Sequence, residues 1–413
     1  MRSAAALSPR PRRACGACGA DESTVCHHQK FIVPDGYPLP SAYDVLVCGR
    51  CSFVYADPPA NQRDYDSFYS DWSKYDEATV STGGGLSTYD AARLAVTASD
   101  IARALPGKSA TILDAGCATG GLLSALREQG FNSLAGLDPS PRCAAACHER
   151  GFPAYVGSIG SAPADMPKFD CIVLSHVLEH VFDIPAFFAA VQRLLVPGGH
   201  LYLETPDAAR YAEYLFAPFQ EFNTEHINHF SARALKNTAR RFGFSPVLVE
   251  QKLVQTSADT HYPAVFAVFR DLGVVARHSD VIRDPDLPGR IRRYIQQSAG
   301  LMERINLHLA PHLVRHQPVI LWGAGQLAMK LLALPCLKNA GIRAFVDNNP
   351  VLRGKTLAGA PILAPPGIAG PREPIVIATL LHADEIAAQI RRLGLTNPIL
   401  TLLPDPITEV RPA

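Results

Sequence analysis

Three side chains able to handle protons near neutral pH fall within five residues of the segment FNTEHINHFS, residues 222–231: Glu225, His226 and His229. Two amides, Asn223 and Asn228, sit among them. A neutral imidazole suits a general base because its ordinary pKa, about 6.5, lies near working pH. A carboxylate beside it can fix its tautomer or hold a hydroxyl. The same residues also suit a solvated loop running into a helix, with Ser231 as N-cap of SARALKNTARRFGF. A second cluster, His176, Glu179 and His180, lies in SHVLEHV. Its HxxEH order is also that of an inverted zinc-protease motif.

Two cysteine pairs form the third candidate. Cys15-Gly-Ala-Cys18 and Cys48-Gly-Arg-Cys51 are CxxC turns with 29 residues between them. Two such turns supply four thiolates, the donor set of a closed, tetrahedral structural zinc site with no open position for chemistry. The intervening stretch is long for this pattern, so it must carry a hairpin of its own. AYDVLVC, just before the second pair, alternates as a strand does. Cys26, His27 and His28 could serve as alternative ligands but are expected to be loop residues.

These groups need elements to hold them. In ATILDAGCATGGLLSAL an apolar strand ends at Asp114 and turns through Gly116, Gly120 and Gly121 into a helix. Glycines at such a turn let a ligand approach the backbone. A second strand, SLAGLD, ends at Asp138, 22 residues after Gly116, where an acid can accept both hydroxyls of a ribose. Strand-end capping is the plainer role open to both acids. FDCIVLSHVLEHV then gives a strand ending at the second cluster, and LLVPGGHLYLETP a Gly-Gly turn and another strand. Strands alternating with helices predict a doubly wound α/β sheet. The theme returns near the C-terminus, where a strand runs into Gly323-x-Gly325-x-x-Ala328 and a second strand ends at Asp347. That loop fits a dinucleotide fingerprint in part, so nucleotide-sugar binding, NAD binding and a purely architectural role all stand open.

The chain of 413 residues is long enough for two or three domains, and a net charge of +1 argues against a general nucleic-acid or membrane-surface binder. MRSAAALSPRPRRA lacks the apolar core of a signal peptide, and no run approaches the roughly 18 apolar residues of a membrane span. A cytoplasmic location is expected, with the ten cysteines as thiols or metal ligands. The basic tail to about residue 13 is expected to be disordered.

The D-x-G-x-x-x-G loop, the later Asp138, FDxIxLSHVLEH and the PGG turn, in that order, resemble the class I S-adenosylmethionine-dependent methyltransferases. The resemblance implies that Gly116 and Gly120 pass beneath the methionine part of the cofactor, with Asp114 nearby and Asp138 on the ribose. Where that family usually places an Asp near the adenine, YVGSIGSAP offers Ser158 and Ile159. It also places His176 to His180 toward cofactor and substrate, with His180 the better active-site candidate. The whole order resembles the sugar C-methyltransferases: a zinc-binding domain (1–75), a methyltransferase domain (76–256), and a helical connector with a Rossmann-like domain (257–413). That family acts on nucleotide-linked keto-deoxysugars, and its C-terminal domain contributes to nucleotide recognition. Its Y-x-E-H segment matches Glu225 and His226, whereas Asn223 stands in the tyrosine's place. Carbon methylation requires removal of a proton α to a carbonyl. The implied roles are His226 as base, Glu225 as positioning residue, and His180 or His229 as hydrogen-bond donors to the enolate. Asn223, His229 and Tyr75, in the Tyr-rich DYDSFYSDWSKYDEATVSTGGGLSTYD, are the implied substrate contacts. That stretch reads as a lid or as interdomain packing. The alternative is an O- or N-methyltransferase that keeps the cofactor residues and needs no enolising base.

Overall fold

The computed structural model describes residues 13–72, 83–257, 260–273, 281–313, 318–368 and 373–404. The chain divides into two compact units. The first comprises Met1–Cys26, Asp44–Arg210 and Glu225–Arg290, and the second His27–Tyr43, Tyr211–Thr224 and Ile291–Ala413.

The first unit is built on a seven-stranded sheet whose strands are numbered here in chain order: β1 Thr111–Ala115, β2 Ser133–Asp138, β3 Ala154–Val156, β4 Phe169–Ser175, β5 Leu195–Pro206, β6 Phe244–Gln255 and β7 His261–Asp271. They lie in the order β6-β7-β5-β4-β1-β2-β3. The strands from β3 to β5 are parallel, while β7 runs antiparallel to both β5 and β6. Strand order reverses between β1 and β4, which opens a crevice at the carboxyl ends of those strands, the usual ligand position in such a sheet. Ile172, Val173 and Leu174 of β4 are all fully buried, as expected of a parallel strand covered on both faces.

Local sequence explains the covering helices. Ile184–Leu194 buries Ile184, Phe187, Phe188, Val191 and Leu194, a 3.6-residue stripe, and starts where the Asp183 side chain accepts from Ala186 N. Ser231 caps the helix Ala232–Arg241 as expected, its side chain accepting from Ala234 N.

Two expected boundaries differ. The boundary at residue 256 cuts the β6–β7 hairpin. The sheet needs β7, since that strand joins β6 to β5, and it ends only at Asp271. Nor do the CxxC turns form a compact unit of their own. Cys15, Cys18, Cys48 and Cys51 share one apolar core with β4, β5 and the helix Ile184–Leu194. A Cβ on Gly16 would lie 2.3 Å from Ile184 Cδ1, so only glycine lets the first turn seat on that helix. Arg241, at the C-terminus of the helix Ala232–Arg241, clamps the same turn by donating to the carbonyls of Cys15 and Gly16.

The second unit carries a six-stranded sheet in the order Thr356–Leu357, Ala360–Leu363, Gly341–Val346, Pro318–Trp322, Ile375–Ile377 and Ile399–Leu400. It is parallel apart from its terminal hairpin. Its own small core is built on Ile320, Trp322, Val346, Ile375, Ile377 and Ile390. Among the described residues no helix is long and apolar enough to cross a membrane.

Candidate functional site

The loop after β1 is built around positive φ angles, +87° at Gly116 and +83° at Gly120, which L side chains rarely adopt. Asp138, at the end of β2, anchors this loop: Oδ2 accepts from Ala118 N at 2.9 Å and Oδ1 from Ser140 N at 2.9 Å. The second unit repeats the device. Asp347 accepts from Ala324 N at 2.7 Å and Asn349 N at 2.8 Å. The recurring acid after a glycine turn therefore has a structural duty in both sheets.

Asp114 is almost fully buried, and burial together with the neighbouring Asp138 pushes its carboxyl up to about 7. A carboxyl held near half-ionisation at neutral pH favours a cationic ligand. Gly83 and Gly85, in the stretch read from sequence as a lid or as interdomain packing, are fixed against this loop. Their N–H groups donate to Asp90 at 2.9 and 2.7 Å, and Gly83 O accepts from Gly121 N. A Cβ on Gly121 would lie 2.5 Å from Gly83 O. Tyr75 lies outside the described residues.

The residues after β4 turn sharply at His176, whose φ is +57°. They bring the two histidine clusters together. The rings of His180 and His226 meet edge to face at 4.8 Å, and Tyr69 stands edge-on to His180 at 5.7 Å. His180 Nδ1 donates to the Glu225 carbonyl at 3.2 Å, which leaves Nε2 as the lone-pair nitrogen of the neutral ring. Burial pulls the His180 imidazolium down to about 4, with Glu179 opposing. His180 is therefore neutral at neutral pH, and its Nε2 accepts hydrogen bonds rather than donating them, which corrects the enolate-donor role expected for it. Glu179, 1% exposed, carries one carboxylate oxygen without a hydrogen-bond partner. Donor atoms of Glu179, His180 and His226 all lie within 4.8 Å of one another. Asn228 staples the segment in place, donating to the carbonyls of Leu178 and Val181 and accepting from Arg13.

His229 is the clearest correction. It is fully buried, on a short strand where it pairs with Val54, and burial holds its imidazole neutral, down to about 3. It is a core residue and presents nothing to a substrate. Asn223 falls in the second unit, where its carbonyl accepts from Tyr43 and its amide donates to Gln220 O. Ser158 opens a 3-10 turn and shares a hydrogen bond with Ser161, while Ile159 beside it is buried.

Sequence reasoning missed Glu204, Lys252 and Tyr69. Glu204 is fully buried on β5 and pairs with Lys252 Nζ at 2.8 Å and His176 Nε2 at 3.3 Å. The signal was present: an ionisable residue inside LYLET, an otherwise buried strand, needs partners. Tyr69 stands four residues after Tyr65 on the helix Gln62–Asp71, a spacing that puts both on one face.

The four cysteine sulfurs also lie within 4.8 Å of one another, with Cys15–Cys51 at 3.5 Å and Cys18–Cys48 at 3.6 Å. A tetrahedral zinc with Zn–S near 2.3 Å separates its sulfurs by about 3.8 Å. The donor set fits that ion. Cys26, His27 and His28 take no part in the cluster, and His27 stacks on Phe219 instead.

A family model described as a methyltransferase domain matches residues 89–249, which carry both the β1 loop and the His176–His180 turn. The first unit contains a class I S-adenosylmethionine-dependent methyltransferase domain. Among relatives of this methyltransferase, malonyl-acyl-carrier protein O-methyltransferase of Serratia marcescens is 28% identical over 211 residues, 50% of this chain and 79% of that protein. Ubiquinone biosynthesis O-methyltransferase of Methylobacterium nodulans is 35% identical over 112 residues, 26% of this chain and 45% of that protein. The human mitochondrial protein of that name is 31% identical over 129 residues, 28% of this chain and 35% of that protein. The match thus spans less than half of either ubiquinone-biosynthesis relative. A solved structure of Burkholderia thailandensis 1,6-didemethyltoxoflavin-N1-methyltransferase covers 53% of this chain and 95% of that one, at 19% identity and a TM-score of 0.36.

Two cofactor predictions follow from the β1 loop. Asp138→Ala removes a candidate ribose acceptor and the anchor of Ala118 N. Charge-assisted hydrogen bonds are worth roughly 1.5–3 kcal/mol, so calorimetric titration should show S-adenosylmethionine bound about 10- to 100-fold more weakly. Asp114, raised to about 7, ionises as pH rises, and the cofactor's sulfonium favours the ionised form. Affinity should therefore increase between pH 5 and 7, and Asp114→Asn should flatten that dependence.

Proposed function

We propose that this methyltransferase methylates carbon in a nucleotide-linked keto-deoxysugar, with His226 taking the proton α to the ketone. The observation that supports this reading is an edge-to-face imidazole pair, His180 and His226, packed beside the buried Glu179 carboxylate at the carboxyl end of β4. Bound S-adenosylmethionine supplies an electrophilic methyl on sulfur. His226 accepts the proton from carbon, and the C–H electrons form the enolate that makes the new C–C bond as the C–S bond breaks. Glu179 stabilises the imidazolium that results. His180 Nε2 can take the proton onward, because its Nδ1–H is committed to the Glu225 carbonyl. Glu225 fixes that tautomer through its backbone, while its half-exposed carboxylate can hold a sugar hydroxyl. The four cysteines would hold one structural zinc, and the parallel sheet of the second unit would serve as the Rossmann-like domain of this family.

A second reading is O-methylation, favoured by the relatives, whose names describe O-methyltransferases. There His226 would take a hydroxyl proton instead. Turnover of nucleotide-linked 4-keto-deoxysugars in heavy water, read by mass spectrometry, separates the two. Methylated product that has lost its α-proton supports carbon methylation. Product that retains this proton moves the reading to oxygen, and no turnover of any such sugar removes the sugar acceptor.

A further inference from the structure

Behind the proton-transfer cluster lies a chain of buried charges that the proposed chemistry leaves unused. His176 is three-quarters buried and bridges two carboxylates. Its Nδ1 lies 3.2 Å from Glu179 Oε1 and its Nε2 3.3 Å from Glu204 Oε1. Glu204 fixes His176 a second time, since His176 N donates to the Glu204 carbonyl at 2.8 Å. Farther back, the other oxygen of Glu204 accepts from Tyr202 OH at 2.6 Å, Thr97 Oγ1 at 3.2 Å and Lys252 Nζ at 2.8 Å. Lys252 also pairs with Asp100 at 2.9 Å, and Asp100 leads to Arg103 and Glu250 at the surface. The Tyr262 ring stands 5.8 Å from His176.

We propose that His176, anchored by Glu204, is a positioning residue that keeps the Glu179 carboxylate ionised and directed at His180 and His226. Four carboxylates (Glu179, Glu204, Asp100, Glu250) face three cations (His176, Lys252, Arg103), so the chain carries one net negative charge. That charge is complementary to an imidazolium forming on His180 or His226. Without the His176 cation, Glu179 would be a buried carboxylate with one oxygen unpartnered, and such a group takes up a proton. The charge states agree. Burial works against the His176 cation, yet its pairing with Glu179 and Glu204 lifts it to about 9. Burial also works against the Glu179 anion, and the hydrogen bond from His176, joined by the electrostatics of His180, His176 and His226, holds the carboxyl below the usual range. The positive φ of His176 fits a side chain aimed for a task, since strained backbone persists only where surroundings enforce it.

The inference rests on histidine as the base, so its test needs one arm free of any acceptor. Histidine NMR titration of the full chain, with His176→Gln assigning the resonance, should find His176 protonated through neutrality with a midpoint near pH 9. Glu204→Gln should lower that midpoint by at least one pH unit. In His176→Gln the His180 midpoint should fall, because Glu179 has taken a proton. A wild-type His176 midpoint near 6.5, or an unmoved His180, overturns the inference whatever the acceptor proves to be. In turnover, His176→Gln should raise the acid limb of kcat/KM by about one pH unit and lower its plateau about tenfold. S-adenosylmethionine affinity should change less than twofold, and His176→Lys should restore the limb in part. A rate scaled down with an unmoved acid limb also overturns it. Loss of turnover with every acceptor, alongside the expected titrations, would sink the assignment of the base alone.

Discussion

His226→Asn should lower kcat by about 10²- to 10⁴-fold, the range typical of a removed general base, while S-adenosylmethionine binding stays within about twofold. Asparagine keeps a polar side chain of similar reach but cannot take a proton. The residue sits against His180 and Glu179, and its proposed task is the acceptor's proton, so cofactor affinity should not follow the rate. His180→Asn should cost less, since it removes the onward acceptor and leaves the base. His229→Asn separates chemistry from packing. That ring is fully buried and neutral, so its replacement should appear as lost thermal stability, with kcat per folded molecule little changed. Single-turnover rates with matched calorimetric titrations would check all three. A His226→Asn variant retaining more than about a tenth of wild-type kcat would move the base to His180, whose Nε2 lone pair is already fixed.

The glycine turn and the strand-end acids were legible in the sequence, and the histidine cluster in part, for a physical reason. A glycine turn and a strand-end acid are local features, dictated by φ angles and by strand ends, and Gly116, Gly120, Asp114 and Asp138 fall where their spacing put them. The cysteine cluster was legible because CxxC brings two sulfurs together whatever surrounds it. The histidine cluster depends on contacts distant in sequence. Glu225 O reaches His180 across 45 residues, and Arg13 reaches Asn228 across 215. Spacing alone therefore could not separate His226, near the site, from His229 in the core. The His176–Glu204–Lys252 chain was hidden for the same reason, although a glutamate inside a buried strand requires charged partners. Domain boundaries failed where segments leave one unit and return. Residues 27–43 and 211–224 belong to the second unit although the chain on either side belongs to the first.

Removing a zinc held by the four cysteines should unfold more than a small N-terminal module. Elemental analysis should find one zinc per chain, and Cys48→Ser or Cys15→Ser should abolish it. Cys26→Ser should retain it, because Cys26 stands outside the cluster. Structural zinc contributes roughly 10–16 kcal/mol of apparent binding free energy in small domains at pH 7, and only part of that need appear as stability here. Even about 5 kcal/mol, at roughly 2–4 °C per kcal/mol for a unit of this size, lowers Tm by about 10–20 °C. The effect should reach the methyltransferase sheet, since the cysteines share their core with Leu174, Phe188 and Leu203, and Gly16 rests on Ile184. Loss of zinc should therefore broaden the main unfolding transition and lower methyl-transfer activity together. Four buried sulfurs this close would otherwise be free to oxidise in pairs, Cys15 with Cys51 and Cys18 with Cys48. A zinc-free protein with an unchanged Tm and two such disulfides would show that covalent bonds, and no ion, close this corner of the core.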